Sequence, residues 1–377
     1  MASAAVEQQS VSHSPRESTS LQGRSSELPF LGLLTVGLVL SVITYAQPSQ
    51  AMWVGFIFAG YAAVANDSMQ TLGTFLVSNR HKPWWLLWLF VGGIFLATTA
   101  YSWWTLDGDV TYQRLAAKGF SEAPQSFAFL QVAAPLVLIV LTRFRMPVST
   151  TFLLLSCFST TASGVESVLV KSLCGYGVAL ALGFGAWFAA SKVPFGPVRH
   201  PRSWRVAQWA STGVLWSVWL MQDAANIAVY LPRSLSVVQF GGFALIMVLA
   251  LGLLMYLRGG RIQRVVAEKS DVVDVRAATA IDFVFAIILF VFKLYSKMPM
   301  STTWVFIGLL AGRELAYAAA QAQFRDAAQA NSGGALSRAL GMLSGDLGRA
   351  TAGLAVSLLL ASFVNPALRD VIWSWVA

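Results

Sequence analysis

Apolar residues in this chain run in long unbroken stretches separated by short polar connectors. An apolar run near 20 residues crosses a bilayer as a helix, because only a closed hydrogen-bonding pattern satisfies the backbone where water is absent. That rule predicts eleven segments, at 29–46, 52–77, 83–104, 125–141, 148–165, 168–191, 206–231, 234–257, 277–296, 299–320 and 338–363. Two of them, 125–141 and 148–165, are short, so they suit paired half-helices as well as full spans. The predicted fold is an all-α polytopic membrane protein. Residues 1–29 are rich in Ser and Gln and have no apolar h-region, which predicts a disordered cytoplasmic tail rather than a cleaved signal. Residues 30–51 form an extra first span and its loop in this reading, and residues 364–377, with Trp373 and Trp375, an interfacial C-terminal tail.

Composition agrees with the pattern. With 56% hydrophobic and 11% charged residues, the chain has too little polar surface to coat a soluble core. Its formal charge of +9 lies in short loops between apolar runs, with no basic stripe of the kind nucleic acid requires, so the partner expected is the lipid bilayer. With the N-terminus placed inside, seventeen Lys and Arg fall on the cytoplasmic side and seven on the other. The bias predicts a cytoplasmic N-terminus in a bacterial inner membrane or an equivalent plasma or organelle membrane. The two cysteines, Cys157 and Cys174, both lie in apolar segments, which argues against a disulfide framework.

Two short motifs recur. Residues 146–151 read MPVSTT and residues 298–303 read MPMSTT. Upstream, Asn66-Asp67-x-x-Gln70 matches Gln222-Asp223-x-x-Asn226, a carboxamide, an aspartate, two residues and a second carboxamide. Asp67 precedes Pro147 by 80 residues and Asp223 precedes Pro299 by 76, so both markers recur in order and in register. The chain then divides into one unit at 52–191, a cytoplasmic linker at 192–205 and a second unit at 206–363. Each unit holds five segments, and an odd number inverts the second copy across the membrane. Inverted repeats with broken helices or re-entrant hairpins are a common construction of secondary transporters, whose site lies near the midplane where the halves meet.

The motif chemistry suits ions. Asp67 and Asp223 each sit well inside an apolar run, where a carboxylate costs roughly 2.5 to 3.5 kcal/mol on insertion scales and needs a cation, a proton or a cavity. Carboxamides at positions minus one and plus three add neutral oxygens near the same helical face, an oxygen cage suited to sodium. Pro147 and Pro299 disfavour helix just before them, and the following hydroxyls favour a helix start. Such a start offers free N–H donors, a positive dipole end and three hydroxyls, which suit a tetrahedral oxyanion. The plainer reading of each triplet is an ordinary helix cap.

These residues resemble the duplicated signatures of the inorganic phosphate transporter family, the sodium-coupled or proton-coupled phosphate symporters that include sulfate permeases. The resemblance implies that Asp67, Asp223, Gln70 and Gln222 bind the coupling ion, with sodium at Asp67 and Asp223. It implies that Ser149, Thr150, Thr151, Ser301, Thr302 and Thr303, with Asn66 and Asn226, hold the anion. The family forms are GANDxxN and PxSTTH; here each aspartate motif has one Gln in place of Asn, Val64 stands for the Gly, and Phe152 and Trp304 stand for the histidines. The function implied is symport of a small inorganic oxyanion with sodium, or with protons. Phosphate leads, and sulfate or another oxyanion is the alternative. A non-transporting sensor or scaffold of the same fold is the alternative from another class, and a homodimer is compatible with either.

Other charged residues fall in or near spans. Glu166 and Asp282 are expected at interfacial span ends. Asp346 and Arg349, three apart, can pair on one helical face. Arg313 and Glu314 are adjacent, about 100 degrees apart around the helix, and are expected not to pair simply with each other. His13, His81 and His200 have no metal-ligand spacing, and no phosphate-binding GxxxxGK loop or nucleophile-base pair is present. Neither an enzyme nor a cofactor beyond the coupling ion is expected.

Overall fold

A computed structural model describes residues 18–144, 146, 148–159, 162–191, 201–257, 275–295, 301–324, 333–365 and 369–370. Pro147, Pro299, residues 1–17 of the expected tail, 192–200 of the linker, and Trp373 and Trp375 lie outside the described residues. All regular structure among those described is helical. The first half contains α1 (Ser18–Thr44), α2 (Pro48–Ala63), a π-helical turn π1 (Val64–Ser68), α3 (Met69–Ser78), α4 (Trp84–Thr105), the single turn α5 (Arg114–Ala117) and α6 (Phe129–Arg143). It continues through π2 (Thr151–Leu155), α7 (Ser156–Phe158) and α8 (Ala162–Ser191). The second half contains α9 (Pro201–Ala228), α10 (Val237–Tyr256), α11 (Val275–Ile288), π3 (Leu289–Tyr295), α12 (Thr302–Phe324) and α13 (Gly333–Val364).

Among the described residues, four stretches are long and apolar enough to cross a membrane: Trp84–Thr105, Leu169–Ala190, Val237–Tyr256 and Leu340–Val364. Leu28–Thr44, Phe129–Arg143 and Ala278–Phe292 are shorter apolar helices. Large apolar side chains in mid-helix, such as Leu249, Phe283 and Leu359, face outward, as a bilayer-embedded surface requires. The chain is thus an all-α protein of membrane-embedded character.

Two boundaries differ from the sequence reading. Helix α1 begins at Ser18, inside the stretch expected to be tail, and carries Pro29 within it. The run at 148–165 is not one helix, for it stops at Phe158, and Ser159 is extended. A helix ending inside a protein leaves carbonyls without donors. Here the Gln131 amide donates to the Cys157 carbonyl at 2.9 Å, and the Asn365 amide donates to the carbonyls of Ser156 and Ser159 at 3.3 and 2.5 Å. Side chains 26 and 209 residues away therefore make the break tolerable.

Indole N–H groups close similar gaps between helices: Trp88 donates to the Val248 carbonyl and Trp216 to that of Val91. Helices α8 and α12 meet backbone to backbone. A methyl group on Gly183 would lie 2.6 Å from the Leu309 carbonyl oxygen, and one on Gly308 or Gly312 would run into the Tyr176 or Leu180 carbonyl. This is the use of small residues expected in apolar helix packing.

The loop between α4 and α6 is tightly built. Asp107, Tyr112 and Gln113 have φ of 49°, 53° and 58°, a left-handed conformation that non-glycine residues rarely hold. The Asp109 carboxylate holds it by accepting from the N–H groups of Thr111 and Gln113, both at 2.6 Å. Gly108, at φ 91°, accepts from the Leu235 N–H and leaves no room for a Cβ against the Leu235 backbone. Arg233 ties the loop to the end of α9: its guanidinium donates to the carbonyls of Phe120 at 2.8 Å and of Leu231 and Glu122 at 2.7 Å. Burial pulls the Arg233 pKa down to about 10, against the opposing pull of Asp109.

Candidate functional site

Asn66 and Asp67 sit on π1, Gln70 on α3, Gln222, Asp223 and Asn226 on α9, and the two hydroxyl triplets at the starts of π2 and α12. All twelve expected site residues are buried, none more than 6% exposed. π-Helical turns widen the helix locally and recur at functional positions. In this chain π1 carries the first aspartate motif, π2 starts within the first triplet, and π3 lies just before the second.

The residues flanking Pro147 draw all four motifs together. The Asn66 amide donates to its neighbour Asp67 and to the Val148 carbonyl, both at 2.5 Å. The Thr303 hydroxyl donates to the same Val148 carbonyl at 3.3 Å. The Thr150 hydroxyl donates to the other Asp67 oxygen at 2.5 Å and accepts from the Asn226 amide at 3.2 Å. That amide also reaches Thr151 and Asp223, each at 3.0 Å. One hydroxyl and one carboxamide thus link the two buried aspartates in a continuous chain of hydrogen bonds. Gln70 braces the first motif by donating to the side-chain Oδ1 of Asn66 at 3.0 Å.

The triplets divide their work. The Ser149 oxygen accepts from the Phe152 N–H at 3.3 Å and the Ser301 oxygen from the Trp304 N–H at 3.4 Å, the same capping geometry in both copies. The first hydroxyl of each triplet is therefore a helix cap, and Thr150, Thr151 and Thr303 carry the cross-links. At the second helix start the Ser301 N–H donates to the Ser172 hydroxyl of α8 at 2.9 Å. Thr302 is buried alongside. Phe152 and Trp304 pack into one small apolar cluster with Ile307 and Ala350.

Among the described residues, several buried polar atoms at the site have no hydrogen-bond partner: the side-chain nitrogen and oxygen of Gln222, the Gln70 oxygen, the Ser68 hydroxyl and Nε of Arg114. An unsatisfied buried polar group costs roughly 1 to 3 kcal/mol, so these atoms call for a ligand or water. They include acceptors, which suit a cation, and donors, which suit an anion.

Two cations at the site entered the sequence reading only as markers of orientation. Lys118, half-buried, donates to the side-chain Oδ1 of Asn226 at 2.9 Å. Arg114 is buried; desolvation lowers its pKa, and the negative charge of Asp223 opposes that shift. Both come from the loop held by Arg233. The signal lay in the sequence RLAAK, whose i, i+4 spacing places both cations on one face of a helical turn.

A second polar cluster corrects the reading of Asp282. It is buried on α11, where one carboxylate oxygen accepts from Thr74 of α3 at 2.5 Å and the other from Thr212 of α9. The partners lie 208 and 70 residues away in sequence, so nothing local distinguished this aspartate from an interfacial one. Arg313 and Glu314 are also corrected: they pair at 2.6 Å, because two long side chains can curl together although their Cβ atoms diverge. Glu166 is exposed on α8, and the side chain of Asp346 lies outside the described residues. No cluster of three or more His, Cys, Asp or Glu side chains suited to a metal occurs among the described residues. No family model, curated protein or solved structure matches the chain.

Proposed function

We propose that the chain is a secondary active transporter that moves a small inorganic oxyanion, phosphate in the first instance, together with sodium or a proton. The observation that carries this reading is the convergence of three sequence-distant motifs on Val148–Thr151 of the fourth, with both aspartates in one hydrogen-bonded chain. The two halves present matching elements in the same order: a motif helix, a second helix, a third helix, a hydroxyl-triplet helix and a long last helix. This correspondence supports two inverted repeats of five segments, following the extra segment α1.

The roles divide by chemistry. The Asp67 carboxylate and the unpartnered Gln70 oxygen are hard oxygen ligands for the cation. The Gln222 amide, Arg114 and Lys118 supply donors and positive charge for the anion. Each ion offsets the other's charge, so either costs less to bury when its partner is already bound. Coupling follows from that dependence under alternating access.

The test is uptake of labelled phosphate and sulfate into proteoliposomes, with and without a sodium gradient and with a pH gradient. Gradient-dependent uptake is expected. Asp67→Asn and Asp223→Asn should each abolish it while leaving insertion intact, and Lys118→Ala should raise the half-saturating anion concentration roughly 5- to 30-fold, by the loss of about 1 to 2 kcal/mol of partly screened attraction. Full uptake in both aspartate variants would sink the assignment. Binding of either anion with no flux under any gradient would favour a sensor.

A further inference from the structure

A groove of about 1180 Å³ opens between α4 and α9, with Phe290 of π3 contributing to its wall. Its lining is predominantly apolar, as at Phe90 of α4 and Val214 and Met221 of α9. Lys82, Arg202 and Arg205 line it at the end where α4 and α9 both begin. Arg202 and Arg205 are exposed and Lys82 is half-buried, no carboxylate lines the groove, and none of the three cations is ion-paired among the described residues. Three like charges beside an apolar channel constitute a complementary surface for a ligand with an anionic head and a long apolar tail.

Dimensions match such a ligand. From Arg205 to Met221 the helix rises about 24 Å at 1.5 Å per residue, and one leaflet of hydrocarbon is roughly 15 Å deep. Val214, 57% exposed, and Phe290, 50% exposed, lie along that path. A soluble anion would use the three cations and leave this apolar wall bare. Clustered basic residues at the membrane boundary attract anionic lipid headgroups, and the attraction grows with each added charge.

We propose that this groove is a binding site for an anionic phospholipid, with its headgroup phosphate among Lys82, Arg202 and Arg205 and an acyl chain along Phe90, Val214 and Phe290. The lipid lies against the helix that carries the second aspartate motif, since Met221 lines the groove and Gln222 and Asp223 follow it directly. This proposal does not depend on the transport reading.

The experiment uses the full chain in nanodiscs of phosphatidylcholine with graded phosphatidylglycerol, reading retained lipid by native mass spectrometry and thermal midpoint in parallel. Phosphatidylglycerol should be retained in preference to phosphatidylcholine and should raise the midpoint. Arg202→Ala with Arg205→Ala should weaken the preference about 10- to 30-fold, as expected for two charges at a membrane surface. Arg202→Lys with Arg205→Lys should keep most of it, which separates charge loss from misfolding. Val214→Trp should block the acyl path and lower retention with all three cations in place. Equal retention of both lipids, a preference indifferent to the alanine variant, or full displacement by millimolar inorganic phosphate would each overturn the proposal.

Discussion

Thr150 and Thr151 are adjacent, both buried and identical in side chain, yet they occupy different electrostatic positions. The Thr150 hydroxyl donates to a carboxylate oxygen of Asp67, and the Thr151 hydroxyl only accepts from the Asn226 amide, which has Asp223 and Thr150 as further acceptors. Valine is nearly isosteric with threonine, so each substitution removes the hydroxyl with little change in volume. Hydrogen bonds to charged groups contribute about 1.5 to 3 kcal/mol, whereas neutral interhelical bonds in membrane proteins average roughly 0.6 kcal/mol. Thr150→Val should therefore lower the unfolding free energy by about 1.5 to 3 kcal/mol and Thr151→Val by well under 1 kcal/mol. The assay is equilibrium unfolding of the purified protein in mixed detergent micelles with increasing dodecyl sulfate, at neutral pH without added substrate. The double variant shows whether the two losses are independent. Equal small losses would mean that Asp67 does not depend on the Thr150 donor, and the account of two aspartates joined through this hydroxyl would fail.

Two further outcomes are expected. Gly312→Ala sets a methyl group against the Leu180 carbonyl and Phe184 N–H, so α8 and α12 must separate at a cost of about 1 to 3 kcal/mol, whereas Gly177→Ala, with nothing within 4 Å, should be neutral; thermal midpoints of the two variants distinguish them. Arg233→Met leaves the carbonyls of Phe120, Glu122 and Leu231 without this donor, and losing about 1.5 kcal/mol of local stability should speed tryptic cleavage after Arg114 and Lys118 roughly 10-fold in limited proteolysis.

What the sequence reveals here follows the range of the forces involved. Helix positions follow the apolar runs, and among the described residues four stretches, Trp84–Thr105, Leu169–Ala190, Val237–Tyr256 and Leu340–Val364, are helices long and apolar enough to cross a membrane. The twelve motif residues stand out because polar groups inside such runs are costly, and all twelve are buried. What is not legible depends on partners distant in the chain. The stop at Phe158 depends on Gln131 and Asn365, and the burial of Asp282 on Thr74 and Thr212. Arg114 and Lys118 were hidden for another reason: cations in a loop read as solvated until the loop's own folding, anchored by Asp109 and Arg233, turns them inward.

The glycine seam between α8 and α12 carries a kinematic consequence. Because backbone already meets backbone at Gly183, Gly308 and Gly312, the two helices have no slack with which to approach further, and the Tyr176 ring of α8 meets the Trp304 ring of α12 edge-on at one end of the seam. A seam of that kind is a fixed stop: it joins one helix from each half of the chain and sets their closest approach by backbone alone, so that any bulkier residue in it must push the two helices apart.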